Sequence, residues 1–415
     1  MTELPIMKVL IVSYYYSMTD STGSLRARAM AKYLPQNGIE VAVLTYCAQA
    51  DVISFGDNMI GVRDITRGTV PLPVFYAWRV WQRALRWLGV YQGFCGYWRN
   101  AALKNADEII NHFKPDAILA SYPSVEALEI GVVLSEKYGL PLISDFRDGL
   151  LFEPLEVAGL QHKAVRLHYQ ALEAKVVAVS KLILTVSEPI SSYFRDRYAH
   201  PNVMTLHNGF DLNDNVLDTR FAWESDVINI VHTGRLAISR KETAGKGRGI
   251  DALSMALQLL LERSPEMRLK FKVHFVGQLS RVERDCLSPF VKRGIVKLWG
   301  QQVRSKALGF QSKADILLLI TAPDKASIAT GKLFEYLAAE KPILALTRGT
   351  EAERIVRATG AGVVVSPDEP EAIADMLENI ISHKEGLFSL RNEEIIADFS
   401  RDIQMAVLAR MLKVV

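Results

Sequence analysis

The sequence predicts an α/β protein with two doubly wound parallel-sheet domains in tandem, each Rossmann-like. Three observations lead to this prediction. Short apolar runs alternate with longer helical patterns, each run is continuously apolar, and the alternation restarts near the middle of the 415-residue chain. A continuously apolar run suits a parallel strand that helices cover on both faces. At about 150 residues per domain, two or three domains are expected.

Eleven apolar runs predict the strands. In the first half they are MKVLIVS (7–13), EVAVLT (40–45), AILAS (117–121), PLISD (141–145) and LILTVS (182–187). After Asn208-Gly209-Phe210-Asp211 they are INIVHTG (228–234), KVHFVG (272–277), VKLWG (296–300), ILLLIT (316–321), PILAL (342–346) and GVVVS (362–366).

These runs set the predicted domain boundaries. We assign residues 1–210 to an amino-terminal domain, 211–226 to a polar linker and 227–391 to a carboxy-terminal domain. The amphipathic segment 392–415 is expected to pack back on the amino-terminal domain. Ligands of open parallel sheets bind beyond the carboxyl ends of the strands, so we expect the two domains to face each other across a ligand-binding cleft.

Composition excludes several classes of protein. The chain is 49% hydrophobic and 23% charged, and no apolar run approaches the roughly 18 residues of a spanning helix. The first residues contain an acidic side chain and no basic segment before the apolar run, so they predict a strand rather than a secretion signal. We therefore expect a cytoplasmic protein. A net charge of +3 argues against a general nucleic-acid binder. The three cysteines have no metal-binding or disulfide spacing.

Two segments of the second half indicate an anion site. His232-Thr233-Gly234-Arg235 places a glycine turn and an arginine after a strand, which would offer N–H groups and a cation to an anion; a plain surface turn is the alternative. The loop from Arg235 to Arg248 holds five basic residues and one acid, Glu242. It lacks the Ser or Thr of a Walker loop, so an ATPase is not supported, and a solvated charged loop remains the alternative.

The stretch Ser327-Ile328-Ala329-Thr330-Gly331-Lys332 leads into a helix that also carries Glu335. A helix N-terminus presents unpaired N–H groups and partial positive charge, so phosphate is expected there. Glu335 lies one turn further, and a carboxylate is a good double acceptor for the vicinal diol of a ribose. The alternative is a glutamate that only complements the helix dipole.

These segments resemble a known family. Gly-Arg-Leu, a basic Gly-Ile-Asp-Ala-Leu helix start and Gly-Lys-Leu-Phe-Glu-Tyr-Leu-Ala-Ala-Glu-Lys-Pro-Ile-Leu resemble the donor domain of the retaining family 4 glycosyltransferases of the GT-B fold. MKVLIVSYYYSMTDSTGSLRARAMAKYL, LISDFRD and LTVSEPISSYF are similar to segments of the amino-terminal domain of that family.

The resemblance implies roles for particular residues. Arg235 and either Arg248 or Lys246 would bind the donor diphosphate with the Ser327–Lys332 segment, and Glu335 would hold the ribose. The family often has a glutamate where this chain has Ser327, and a histidine where it has Ser144. Asp145, Arg147 and Asp148 are therefore the catalytic candidates, as acceptor or sugar contacts, while Gly23 and Ser24 lie in the acceptor-side loop.

The expected reaction moves a sugar from a nucleotide-diphosphate donor to a hydroxyl of a glycan or lipid-linked acceptor, in polysaccharide or glycoconjugate synthesis. Fixed cations and N–H dipoles can stabilise the leaving diphosphate, so neither a metal nor a cofactor is expected. Two alternatives remain: a nucleotide-sugar epimerase of the same fold, and a non-catalytic nucleotide-sugar-binding subunit.

A basic aromatic segment is the last feature of interest. Residues 65–106 contain no Asp or Glu but six basic residues: Arg67, Arg79, Arg83, Arg86, Arg99 and Lys104. On a helix, Arg79, Arg83 and Arg86 form a stripe flanked by Trp and Leu residues, which suits a membrane interface. Residues 76–99 are thus a candidate for peripheral contact with the inner face of the membrane; a core-packed helix with solvated arginines is the alternative.

Overall fold

A computed structural model of the chain describes residues 6–18, 22–64, 72–87, 95–154, 160–211, 217–223, 226–236, 249–322, 325–382 and 390–415. The chain divides into two compact units. The first comprises Met1–His207 together with Arg401–Val415, and the second comprises Asn208–Ser400.

The first unit is built on an eight-stranded sheet with the order β3-β4-β2-β1-β5-β6-β7-β8. Its strands are β1 Met7–Val12, β2 Ile39–Tyr46, β3 Ile53–Phe55, β4 Met59–Val62, β5 Ala117–Tyr122, β6 Leu142–Phe146, β7 Ser180–Thr185 and β8 Val203–Thr205. All neighbours pair in parallel except β3 and β4. The helices are α1 Leu25–Tyr33, α2 Leu72–Trp87, α3 Gly96–Lys104, α4 Ala106–Phe113, α5 Val125–Tyr138, α6 Lys163–Val179 and α7 Glu188–Tyr198.

The second unit contains a six-stranded, entirely parallel sheet with the order β11-β10-β9-β12-β13-β14. Its strands are β9 Ile228–Thr233, β10 Phe271–Val276, β11 Val296–Gly300, β12 Ile316–Ile320, β13 Ile343–Leu346 and β14 Gly362–Val365. The helices are α8 Ile250–Arg263, α9 Arg281–Lys292, α10 Arg304–Lys313, α11 Gly331–Ala338, α12 Glu351–Thr359, α13 Pro370–Ser382 and α14 Glu393–Ala397.

The predicted fold class of two parallel-sheet α/β domains is confirmed. Each of the eleven predicted runs coincides with a strand, because burial on both faces requires apolar side chains at every position. Apolar clusters line both faces of each sheet. The sequence analysis missed β3, β4 and β8, which have only three or four residues and lie at or beside the sheet edges. Such short strands carry too little pattern to be recognised.

The segment 392–415 is divided between the two units instead of forming one helix. Ile396 and Phe399 join an apolar cluster of the second unit, and the backbone N–H of Phe210 donates to the carbonyl of Phe399 at 3.1 Å. The last helix, α15 (Arg401–Leu412), packs on the first unit. Its buried residues Met405, Leu408, Ala409 and Leu412 share a cluster with Ala29, Met30, Tyr33 and Leu34.

No helix within the described part of the chain is both long and apolar enough to cross a bilayer.

Candidate functional site

The strand order of the second unit defines where a ligand can bind. Viewed from β9, the chain builds one half of the sheet outward through β10 and β11 and the other through β12, β13 and β14. The connections therefore leave in opposite directions at β9 and β12, and a crevice opens beyond the carboxyl ends of these strands. The glycine turn after β9 and the N-terminus of α11, which follows β12, are the segments that the sequence analysis selected.

Two glycines allow the loops at this edge to pack closely. Gly234 has a φ of 82°, and a Cβ there would lie 3.3 Å from Cδ of Lys332. A Cβ on Gly277, after β10, would lie only 2.2 Å from the carbonyl oxygen of Gly234. Both positions thus require a residue without a side chain, and the loops after β9 and β10 meet the first turn of α11.

Lys332 and Arg235 bring two positive charges to this edge. The Lys332 amine donates a hydrogen bond to the Arg235 carbonyl, while Nη2 of Arg235 donates to Oε1 of Gln278 at 2.9 Å. Burial lowers the pKa of Lys332 to about 8, although the Glu335 and Glu283 carboxylates act in the opposite direction. An amine that is cationic but incompletely solvated gains much from an anionic ligand.

The N-terminus of α11 offers further donors. Thr330 is the N-cap residue with an extended backbone, but its side chain makes no capping hydrogen bond. Its hydroxyl is buried and finds no hydrogen-bond partner among the described residues. Exposed Gly331 and half-buried Lys332 begin the helix, and Ser327 lies half-buried in the preceding loop. The first N–H groups of α11 and the Thr330 hydroxyl are therefore placed to bind an anion.

Glu335 is held by two side chains of α10. Its Oε1 accepts from Nη1 of Arg304 at 2.5 Å, and its Oε2 accepts from Nε2 of Gln311 at 3.1 Å. The Glu335 side chain is 20% exposed, so its carboxylate remains accessible at this edge. The partner of this glutamate within the protein is thus a surface arginine together with a buried amide.

A buried network fixes the surroundings of Glu335. Gln311 Nε2 also donates to Oγ1 of Thr233 at 2.9 Å, and the backbone N–H of Thr233 donates to the Tyr336 hydroxyl at 2.9 Å. Burial raises the pKa of Tyr336 to about 12. His232 precedes Thr233 in β9. Its burial, and to a smaller extent the charge of Lys332, lower its pKa to about 3, so this histidine is neutral.

The structure does not place every predicted donor-site residue. Lys246 and Arg248 lie outside the described residues, so their predicted contact with the diphosphate stays a prediction. The other members of the set (Arg235, Ser327, Thr330, Gly331, Lys332 and Glu335) lie in the β9 loop, in the segment before α11 or in α11 itself.

In the first unit, Asp145 forms a buried ion pair instead of an exposed site. It is the last residue but one of β6, and its Oδ1 accepts from Nη2 of Arg26 at 2.7 Å. Ser121 Oγ donates to Oδ2 at 2.8 Å. The side chains of Arg26 and Asp145 are 2% and 0% exposed. Both oxygens of Asp145 thus have partners within the protein, and its contact with a sugar or an acceptor stays a prediction.

Arg147 and Gly23 meet near this ion pair. The Arg147 guanidinium donates to the Gly23 carbonyl, which precedes buried Ser24 at the start of α1. Burial lowers the pKa of Arg147, although Asp148 and Asp145 oppose that shift. Its Nε is buried and has no hydrogen-bond partner among the described residues. The predicted acceptor-side residues are thus brought together with Arg147, and Asp148 lies half-buried beside it.

Sequence reasoning missed three side chains that hold these sites. Arg26 lies on the buried stripe of α1 with Met30 and Tyr33, so its spacing already placed a guanidinium against the sheet. Arg304 and Gln311 are seven residues apart, about two turns, and therefore lie on one face of α10. The spacing signalled their common face, but nothing in the sequence identified Glu335 as their partner.

Among the described residues, no group of three or more His, Cys, Asp and Glu side chains is placed to hold a metal ion. The expectation of a metal-free and cofactor-free reaction stays a prediction.

Fold and site together define a protein of the GT-B class. Two family models match the chain: "Glycosyl transferase 4-like domain" over residues 22–209 and "Glycosyl transferases group 1" over residues 229–383. The chain therefore belongs to the GT-B glycosyltransferases, as its sequence motifs predicted. No curated protein sequence matches it.

Solved structures of the same fold cover almost the whole chain. HepE of Anabaena in complex with UDP has a TM-score of 0.62 at 16% identity, over 99% of this chain and 100% of that one. The E. coli trehalose-6-phosphate protein bound with UDP-2-fluoro glucose has a TM-score of 0.62 at 13% identity, over 98% and 99%. A putative UDP-N-acetylglucosamine 2-epimerase from Listeria monocytogenes has a TM-score of 0.60 at 10% identity, over 99% and 96%.

Proposed function

We propose that this glycosyltransferase moves a sugar, of the hexosyl type, from a nucleotide-diphosphate donor to a hydroxyl of a glycan or lipid-linked acceptor in polysaccharide or glycoconjugate synthesis. The observation that carries the proposal is the placement of Glu335 one turn inside α11. The N-terminus of this helix presents Lys332 beside Arg235, together with the Thr330 hydroxyl, which has no hydrogen-bond partner in the described part of the chain. Retention of anomeric configuration follows from the family resemblance.

The donor-site residues would each act on a different part of the nucleotide. Arg235, Lys332 and the first N–H groups of α11 would bind the diphosphate and stabilise the negative charge that grows on it as the sugar leaves. Glu335 would accept hydrogen bonds from the two ribose hydroxyls. These roles need neither a metal nor a cofactor. Glu335 would recognise the ribose, whereas the cationic side chains and the N–H groups of α11 would stabilise the leaving diphosphate.

Known relatives support a nucleotide-sugar donor. Structures of Anabaena HepE contain UDP in one case and UDP-glucose in another, and the E. coli trehalose-6-phosphate protein contains UDP-2-fluoro glucose. We extend that donor class, but no particular base or sugar, to this chain.

The first unit would supply the acceptor side. Arg147, Asp148 and the Gly23-Ser24 loop would contact the acceptor or the transferred sugar. Asp145 would act through Arg26, as an anchor that positions α1 and this loop, because its carboxylate is fully buried.

A ligand-stabilisation screen with UDP, GDP, dTDP and their sugars tests the donor class. A ligand that binds only the folded protein at about 100 times its dissociation constant raises the free energy of unfolding by about 2.7 kcal/mol. We expect at least one nucleoside diphosphate to raise Tm. If none does at millimolar concentration, the proposed donor site is wrong.

Glu335→Gln is expected to weaken binding of that nucleotide by about 1.5–3 kcal/mol, since a charged acceptor of hydrogen bonds is replaced by a neutral one. Isothermal titration measures the effect. The matched control is Glu262→Gln. Glu262 is an exposed residue of α8 that accepts a hydrogen bond from Gln258, and this variant should bind the nucleotide normally. An affinity of Glu335→Gln equal to that of the parent would remove Glu335 from the site.

An epimerase is the second candidate, because the Listeria putative 2-epimerase shares the fold. The two activities differ in their need for an acceptor. A transferase releases nucleotide diphosphate from its donor only as sugar reaches an acceptor or water, whereas an epimerase interconverts donor sugars without any acceptor. Nuclear magnetic resonance of the donor, incubated alone, separates the two. Binding without either reaction would identify a non-catalytic subunit.

The proposal includes peripheral contact with a membrane through residues 76–99. The exposed residues of α2 whose side chains are described are Pro73, Tyr76, Ala77, Val80, Trp81, Arg83 and Ala84. At about 100° per residue they lie on one side of the helix, and most are apolar. Such a face is unusual in water but suits a bilayer interface. Arg99 is not available for lipids, since its Nη1 donates to Oε2 of Glu129 at 2.6 Å.

Vesicle sedimentation tests this contact. The protein should bind vesicles that contain phosphatidylglycerol better than vesicles of phosphatidylcholine alone, and added salt should reduce binding, because each basic residue near an anionic surface contributes about 1 kcal/mol. Val80→Glu or Trp81→Glu should abolish binding without lowering Tm, since both side chains are exposed. Binding that survives both substitutions would place the contact elsewhere.

A further inference from the structure

We propose that Gln311 is a positioning residue of the donor site and that Arg304 is a replaceable partner of Glu335 that the ribose displaces. The inference rests on the proposed contact between Glu335 and the ribose. It deepens that proposal by assigning the two oxygens of one carboxylate to different partners, one permanent and one exchangeable.

Gln311 is placed to hold Glu335 permanently. Its side chain is only 1% exposed, and its single amide nitrogen donates both to Oγ1 of Thr233 and to Oε2 of Glu335. The carboxylate accepts only, so the amide must turn its N–H groups towards Glu335. Thr233 is in turn fixed by the Tyr336 hydroxyl. Rotation of the Gln311 amide is therefore opposed by the Glu335 carboxylate, while Thr233 holds the amide nitrogen in place.

The other half of the Gln311 amide indicates that this orientation serves a purpose. Its Oε1 is buried and has no hydrogen-bond partner among the described residues. An unsatisfied buried carbonyl is costly, and such groups persist where another requirement fixes them. Here the requirement is the donation to Oε2, which holds the Glu335 carboxylate in one orientation and leaves Oε1 to Arg304.

Arg304 has the opposite character. Its side chain is 51% exposed, and it contacts Glu335 only through Nη1 and Oε1. Exposed ion pairs contribute little to stability because water solvates both charges when they separate. A ribose that approaches Glu335 can therefore replace Arg304 at Oε1 and keep the Gln311 hydrogen bond at Oε2. The arginine occupies the carboxylate until a nucleotide arrives.

The test compares UDP with 2′,3′-dideoxy-UDP, and GDP with its dideoxy analogue, by isothermal titration. The parent protein should prefer the ribose form by roughly tenfold or more, the ratio expected for hydrogen bonds to a charged group. Gln311→Met keeps the shape of the side chain but donates nothing, so the preference should fall to about twofold. Thr233→Val, which removes the second anchor of the Gln311 amide, should give an intermediate ratio.

Gln258→Met is the matched control. Half-buried Gln258 on α8 also donates to a glutamate, Oε1 of exposed Glu262, at 2.5 Å. Gln258→Met should keep the parent's preference for ribose. If Gln311→Met only destabilised the protein, it would lower Tm and leave the ratio of affinities for the ribose and dideoxy forms as in the parent. A Gln311→Met protein that still discriminates as the parent does would overturn the positioning role.

Arg304→Ala completes the test. If the ribose displaces Arg304, removal of its side chain should strengthen binding of UDP or GDP by about two- to fivefold, in keeping with the weakness of exposed ion pairs, and leave the affinity of the dideoxy analogues unchanged, so the ratio should rise by the same factor. A loss of tenfold or more would show that Arg304 stays in contact with the nucleotide, and the exchange would be refuted. If the parent binds none of the four nucleotides, the donor site itself fails, and that outcome differs from an unchanged ratio.

Discussion

At the scale of single residues, the Arg26–Asp145 pair shows how a carboxylate that sequence suggests for chemistry can serve the fold. Arg26 also donates to the carbonyl oxygens of Leu206 and His207. One guanidinium thus ties α1 both to the end of β6 and to the segment after β8. The Gly23–Ser24 loop immediately precedes α1, so its position depends on this pair.

Asp145→Ala should lower the free energy of unfolding by about 3–5 kcal/mol, because it leaves the Arg26 charge buried and unpaired. Urea unfolding followed by circular dichroism measures this. The double substitution Arg26→Met with Asp145→Leu should restore much of the loss, since it removes both charges. A single variant as stable as the parent would refute the structural role.

Lys332 makes a pH-dependent prediction. The free amine has a pKa of about 8 because it is buried, and a bound diphosphate should raise that value by favouring the charged form. The bound state then holds the proton more tightly, so affinity is greatest below pH 8 and falls as the pH rises through the pKa of the free amine. Titration with the nucleotide found in the screen, at about pH 7 and pH 9, should show weaker binding at the higher pH.

Lys332→Met should bind weakly at both pH values and lose that dependence. Lys292→Met, a change at an exposed lysine at the end of α9, should retain it. A dependence that is equal in Lys332→Met and the parent would assign the titration to another group, in the protein or in the nucleotide.

At the scale of secondary-structure elements, α15 shows that an element can be recognised from sequence while its extent is not. The periodic apolar pattern of 392–415 predicted helix, and both α14 and α15 are helical. The break between them follows from tertiary contacts, because Phe399 and Ser400 pair with Phe210 of the second unit. Only Arg401–Leu412 is left to cover α1.

Leu408→Ala should lower the free energy of unfolding by about 2–5 kcal/mol, since Leu408 is completely buried against the first unit. Ile403→Ala, on the exposed side of the same helix, is the control and should change it by no more than about 0.5 kcal/mol. Denaturant unfolding of both variants checks the difference. Equal, small effects would mean that α15 adds little to the first unit.

At the scale of the whole molecule, the division into two units does not follow the order of the chain. The first unit takes in residues from both ends of the chain, whereas the second is a continuous stretch. Apart from β3 and β4, which follow β2 without an intervening helix, both sheets arise from the same rule: a strand is followed by a helix that returns the chain for a parallel neighbour. This regularity is why the fold class and these eleven strands were predictable.

The sequence by itself determined the fold class, eleven strands of the two sheets and the segments that carry the donor-site candidates, because continuous apolar runs and helix starts are local signals. Tertiary structure alone decided which polar side chains meet. The partners of Asp145 and Glu335 lie 119 and 31 residues away, in Arg26 and Arg304. A hydrogen bond depends on positions within about 3 Å. The packing of whole elements sets those positions, and no local pattern records them.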